Sequence, residues 1–218
     1  MRVLLTAGPT YEPIDPVRFI GNHSTGKMGY ALAEAFAEAG FSVTLVSGPS
    51  ALTVAHPSIE LVRVQTAEEM FRAAAAVAPE AHVWVFAAAV ADYRPRTVAA
   101  EKIKKRDDGE DVLVLELIKN VDIAAMLGQT KRAEQFSVGF ALETHEELAH
   151  AQGKLRRKNF DMVVLNSLRD AGAGFRHDTN KITLVEADRV TPFDLKPKAD
   201  VARDIVSAIL ARLNAHVA

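Results

Sequence analysis

The chain has 218 residues, 49% apolar and 25% charged, with a formal net charge of −2 and no cysteine. That is apolar mass enough for a full core, and too little positive charge to favour a nucleic-acid partner. Disulfides, cysteine-ligated zinc and a thiol nucleophile are excluded, and the longest apolar run, Val83 to Ala91, falls well short of the roughly 20 residues of a membrane helix.

Arg2–Thr6 reads as a buried strand, and Gly8 breaks the apolar run too soon for a signal peptide. The connection that follows, Gly8 to Thr25, carries Pro9, Pro13 and Pro16. Connections in α/β units usually take about 2–6 residues, and longer ones usually carry function. It runs into a predicted helix over Gly26–Ala39, stopped by Gly40. Small and hydroxyl residues at a helix start present backbone N–H groups and positive dipole to an anion, and phosphate is the natural occupant. Gly21–Lys27 spells GxxxxGK, but Met28 stands where a phosphate loop needs Ser or Thr for magnesium, so that reading is rejected. The dinucleotide GxGxxG is absent too, since only Gly26 and Gly29 are properly spaced. The plainer alternative is that Ser24 and Thr25 simply cap the helix.

Further strands are predicted at Phe41–Ser47, Glu60–Val64, His82–Val90, Ser137–Ala141 and Met162–Leu165. Thr66 with Glu69, and Thr144 with Glu147, read as capping boxes opening helices, the second reaching about Lys158. Continuous apolar strands alternating with helices predict a parallel sheet covered on both faces. Asp111–Ile118 alternates like a half-exposed antiparallel strand, Ile182–Leu195 reads as a hairpin, and Asp200–Asn214 as a closing amphipathic helix. Ligands in open α/β sheets bind beyond the C-terminal strand ends, so the residues there are the candidates.

At one such end Ala87, Ala88 and Ala89 would let a ligand approach the backbone. Asp92 follows, as a ligand for magnesium or a substrate hydroxyl or amine, or as a plain turn cap. Lys102, Lys104 and Lys105 form either a solvated surface or a basic flap that neutralises charge on a transferred phosphate. Spacing does not choose among them. Lys154 and Lys158 share a helix face; an anion between them, or the helix C-terminal dipole, would each account for the pair. The seven histidines show no metal-like spacing, and there is no GxSxG elbow.

The blocks DPVRFIGNHSTGKMGYALAEA, LVSGP, AAAVADYRP, EKIKK, KNVDI, VGFALET, KLRRKNFD and DTNKITL, in this order, resemble the phosphopantothenate–cysteine ligases. The resemblance implies a Rossmann-like, mostly parallel sheet flanked by helices, with a small antiparallel β extension. It implies one ligase domain over residues 1–218, either a stand-alone ligase or a domain excised from the fusion with a flavin-dependent decarboxylase that is common in bacterial members, that decarboxylase being a candidate partner. The implied protein is a cytoplasmic homodimer with no nucleic-acid or membrane partner. Its reaction would join 4′-phosphopantothenate to L-cysteine in coenzyme A biosynthesis through an acyl-cytidylate, CTP giving CMP and pyrophosphate; the eukaryotic type prefers ATP. Magnesium (Mg2+) would be held mainly by the triphosphate, with Asp92 the candidate protein ligand.

Carried over position by position, the resemblance implies catalytic roles for Asn22, Arg18 and Lys102, choosing Lys102 over its neighbours. Asn22 would contact the substrate and acyl intermediate, with Ala88, Ala89 and Asp92 beside it. Gly8, Ser24, Gly26, Gly29, Phe86, Ala87, Ala88, Asp92 and Lys102 would meet the nucleotide. So would Val121, Asp122, Ile123, Ala124, Phe140, Lys154, Lys158 and Asn166. The chain departs from the family pattern at Val121, usually proline, and at Leu142, usually alanine.

Overall fold

The computed structural model describes residues 1–104, 112–143, 145–167 and 177–217. Its centre is an eight-stranded sheet. Six parallel strands make most of it: β1 (Arg2–Ala7), β4 (Ser42–Ser47), β5 (Ile59–Arg63), β6 (Val83–Phe86), β9 (Phe136–Glu143) and β10 (Met162–Ser167). The hairpin of β12 (Ile182–Val185) and β13 (Val190–Pro192) adds antiparallel to β10, giving the order β13-β12-β10-β9-β6-β1-β4-β5.

Side chains alternate across a strand, and the buried positions here are mostly apolar, Thr6, Ser47 and Ser137 apart, so the sheet builds a core on each face. On one face Val3, Leu5 and Ala7 of β1 join Leu32 and Phe36 of α1 (Lys27–Glu38) and Ile205 and Ile209 of α5 (Lys198–Val217). On the other, Leu4 and Trp84 meet Met70 and Ala74 of α2 (Ala67–Val77), Leu127 of α3 (Ile123–Gly128) and Leu155 of α4 (Glu147–Arg157). Gly29 brings α1 tight against β1: an added Cβ would lie 2.5 Å from that of Ala7. No helix of the described residues is long and apolar enough to cross a membrane.

Three small antiparallel pairs complete the fold. The long connection after β1 is not a plain loop. It folds into a hairpin of β2 (Tyr11–Pro13) and β3 (Phe19–Gly21), Tyr11 stacked on Phe19 with ring centroids 3.8 Å apart. β7 (Tyr93–Pro95) pairs with β8 (Leu117–Lys119), and β11 (Thr179–Asn180) with β14 (Lys196–Pro197).

Several expectations need correcting. Only the end of Asp111–Ile118 becomes strand; residues 112–116 are outside any strand, because their apolar side chains find no facing layer, with Val112 72% and Val114 84% exposed. The strand predicted over His82–Val90 ends at Phe86, beyond which Ala87 and Ala89 still donate to the Thr6 and Gly8 carbonyls. The Thr66–Glu69 capping box is present. The second box falls on Thr144, which lies outside the described residues; the cap of α4 is Glu146, left-handed at φ 45 and without a side-chain bond into the helix.

Candidate active site

A cavity of about 630 Å³ opens at the C-terminal ends of β1, β6, β9 and β10. Its first wall is Ser24–Gly29, where the chain turns into α1. Gly26 is the cap residue, left-handed at φ 81, a conformation that glycine adopts without strain. Gly26, and not the expected Ser24 or Thr25, holds the cap position of α1, and the Ser24 hydroxyl accepts from the Gly26 N–H at 3.3 Å. Gly8 lies behind this turn, its Cα 3.4 Å from where a Gly26 Cβ would be, and does not line the cavity.

The second wall is the segment Phe86 to Tyr93 that leaves β6. The small side chains of Ala87–Ala89 leave its backbone open to a ligand. Asp122–Ala124 form a third side at the start of α3, where the Asp122 carboxylate accepts from the Ala125 N–H. Phe140, Lys154, Lys158 and Asn166 close the far side. Gly139 makes room there, since an added Cβ would sit 2.0 Å from the Phe160 ring.

The charge of the cavity is positive. Lys27, Lys119, Lys154, Lys158 and Lys198 line it, against Asp92 and Asp122. Lys154 donates to the Phe140 carbonyl at 2.5 Å, and Lys158 to Asp122 at 3.0 Å. Lys27 donates to Asp178 at 2.6 Å, and that hydrogen bond holds the Asp178 carboxyl below its usual range. Burial, and then the charge of Lys27, push the Lys198 ammonium below its ordinary value. An anion in the cavity would relieve that cost.

Asn22, Arg18 and Lys102 do not line the cavity. Asn22 is bonded to its wall, donating from Nδ2 to the Ala89 and Val90 carbonyls at 3.0 and 3.2 Å. Arg18 lies at the end of the β2–β3 turn and pairs with Asp15. It also donates to the Ile103 carbonyl at 3.0 Å, so the loop of Arg18 and the segment of Lys102 are in contact. Lys102 itself is exposed, and Lys105 falls outside the described residues.

Among the described residues no three His, Asp or Glu side chains group as a metal site. The donor set at the cavity is the one carboxylate of Asp92 and the already paired Asp122. That fits magnesium bound chiefly through phosphate oxygens and water, and not a dedicated protein cage.

Sequence reasoning missed Lys198, Lys119, Asn120 and Asn180 as lining residues. The DTNKITL block contained Asn180, whose amide donates to Asn166 at 3.1 Å. No local pattern marks Lys198; only the packing of α5 beside α1 brings it to the cavity.

The family described as DNA/pantothenate metabolism flavoprotein C-terminal domain matches residues 1–213. A protein of an unknown prokaryotic organism named Cysteine/Cysteine sulfinic acid decarboxylase is 49% identical over 96% of this chain and 58% of its own length. The Coenzyme A biosynthesis bifunctional protein CoaBC of Vibrio vulnificus (strain CMCP6) is 42% identical over 95% of this chain and 51% of its own length. The chain thus spans little more than half of these curated relatives. The crystal structure of the C-terminal domain of a Coenzyme A biosynthesis bifunctional protein CoaBC superposes with a TM-score of 0.82 at 40% identity, covering 98% of this chain and 95% of that one.

Proposed function

The chain belongs to the DNA/pantothenate metabolism flavoprotein C-terminal domain family, and from that premise we propose that it is the ligase that joins 4′-phosphopantothenate to L-cysteine at the expense of CTP. One observation carries the reading: a cavity at the strand ends in which five lysines face two aspartates around an open alanine-lined backbone. Such a cavity suits a polyphosphate next to an anionic substrate, whose mutual repulsion must be screened before they react.

The chemistry follows in two displacements. The substrate carboxylate oxygen bonds to the α-phosphorus of CTP, and the bond to the β-phosphate oxygen breaks, releasing pyrophosphate. The cysteine amine then bonds to the acyl carbon, the carbon–oxygen bond to CMP breaks, and the amine gives up a proton. The glycine turn at Gly26, with Lys154, Lys158 and Lys198, gathers phosphate oxygens. Holding both anions in one cavity removes much of the entropic cost of their encounter, worth up to about 7–11 kcal/mol in favourable cases. Asn22 shapes the wall at Ala89 and Val90 against which the pantothenate end would lie. Lys102 brings positive charge to the departing pyrophosphate. Magnesium, when bound, supplies charge neutralisation across the phosphates, with Asp92 its protein ligand.

The same reading takes residues 1–218 as one ligase domain acting as a cytoplasmic homodimer, with a flavin-dependent decarboxylase as its natural neighbour. Incubation with magnesium, CTP, 4′-phosphopantothenate and cysteine tests it. The expected products are the amide by mass, CMP and pyrophosphate, with ATP a poorer donor. If neither nucleotide releases pyrophosphate, or if carbon dioxide appears from cysteine instead, the reading fails.

A further inference from the structure

We infer that Asp15 is a positioning residue for Lys102, acting with Arg18 to clasp both backbone polar groups of Ile103, the next residue in the chain. The inference rests on the ligase reading, in which Lys102 works on the phosphates.

The Asp15 side chain has no exposed surface, although it sits in the turn between β2 and β3. A buried carboxylate needs partners on both oxygens, and this one divides them between two tasks. Oδ1 accepts from the N–H groups of Val17 and Arg18 at 2.9 and 2.8 Å, which ties off the turn. Oδ2 accepts from Arg18 Nε at 3.1 Å, from Arg18 Nη2 at 2.5 Å and from the Ile103 N–H at 3.1 Å. Arg18 Nη2 in turn donates to the Ile103 carbonyl at 3.0 Å. Asp15, Arg18 and Ile103 therefore form a closed ring. Upstream, the Ala99 N–H donates to the Ile14 carbonyl at 2.9 Å. The stretch from Ala99 to Ile103 is tied to the turn at both ends, and Lys102 lies inside the tie.

A lysine head on a four-carbon stem is poorly directed unless its backbone is fixed. The ring supplies that fixing for an exposed segment with no regular secondary structure. Asn22 directly follows the same hairpin, and its amide holds two carbonyls of the cavity wall. One hairpin thus joins the wall of the cavity to the segment that carries the lysine.

Asp15→Asn separates the two tasks. The amide oxygen can still accept from Val17 and Arg18, so the turn survives, while an NH2 group faces the Ile103 N–H and the guanidinium. Three measurements on the full chain test the inference. Amide exchange at Ile103, read by NMR without substrate, should accelerate at least about 10-fold, with the core strands unchanged. Turnover should fall about 10- to 100-fold, with KM for CTP moving less than about 3-fold. Combined with Lys102→Gln, Asp15→Asn should cost no more than about a further 2-fold, because the residue it positions is gone. Should Asp15→Asn melt below the assay temperature, Asp15→Ser takes its place, since serine supports the same turn but cannot reach Ile103.

Unchanged exchange at Ile103, unchanged turnover, or an equal loss in both backgrounds overturns the inference. Full turnover in Lys102→Gln overturns it at its premise. Absence of product from the unmodified protein is a separate result that sinks the ligase reading, while the exchange measurement still reports the clasp.

Discussion

Lys158 Nζ lies 3.0 Å from Asp122 Oδ1, joining the end of α4 to the start of α3 across the cavity. The spacing of Lys154 and Lys158 left an anion and the helix dipole as rival explanations. The structure adds a third factor: each lysine is held by the protein, one by a carbonyl and one by a carboxylate. Both heads are thereby kept at the wall where a phosphate would meet them.

Asp122→Asn should therefore act on binding more than on folding. Asparagine caps a helix as well as aspartate, so the bond to the Ala125 N–H survives. Loss of a partly exposed ion pair should lower stability by less than about 1 kcal/mol. KM for CTP should rise several-fold, because Lys158 is no longer held in place. Steady-state kinetics beside a melting curve check this, and a large drop in melting temperature at constant KM would contradict it.

Asn22→Ala removes the two hydrogen bonds to Ala89 and Val90. CTP affinity should stay within about 3-fold, while a single turnover shows acyl-cytidylate forming or decaying at least about 10-fold more slowly. A time course identical to that of the unmodified protein would remove Asn22 from the mechanism.

Lys198 carries its charge in a nearly buried position beside Lys27. Its ammonium donates to the His177 carbonyl at 2.6 Å, so replacement by methionine removes a desolvated cation and that bond together, and the melting temperature should move little while CTP binding weakens about 10-fold. Calorimetric titration decides it; undiminished affinity would show that the phosphates do not reach this corner.

The Asp15 carboxyl is held well below its ordinary 3.8, first by the Arg18 guanidinium and then by backbone N–H groups, with burial opposing. A depressed carboxyl contributes stability that is complete above its unfolded value and disappears as pH falls through the folded one. The melting temperatures of the unmodified chain and Asp15→Asn should differ at pH 7 and converge in acid below 3.8. A gap that persists unchanged in that range would show that the ionised carboxylate contributes nothing to folding.

The parallel sheet was legible because its strands are apolar on both faces, as in Val83–Phe86, and buried strands admit little else. The hairpin inside Gly8–Thr25 was not. Its strands are three residues long, Pro13 ends one of them, and Glu12 and Asp15 look like surface residues although both are buried. Their burial depends on partners at Ala67 and Ile103, far along the chain. The site was legible where motif residues line the cavity themselves, as Ser24, Phe140 and Asp122 do. It was illegible where helix packing delivers a residue, as with Lys198.

Glu12 carries a last consequence. Its carboxylate, 1% exposed, accepts from the Ala67 N–H at 2.9 Å, at the first turn of α2, and the neighbouring Tyr11 N–H donates to the Gln65 carbonyl at 2.8 Å. The root of the β2–β3 hairpin is thus moored to the body of the sheet domain and cannot swing aside as a door. On the ligase reading proposed above, nucleotide and pyrophosphate would pass by some other edge, with this hairpin as the fixed jamb of the entrance.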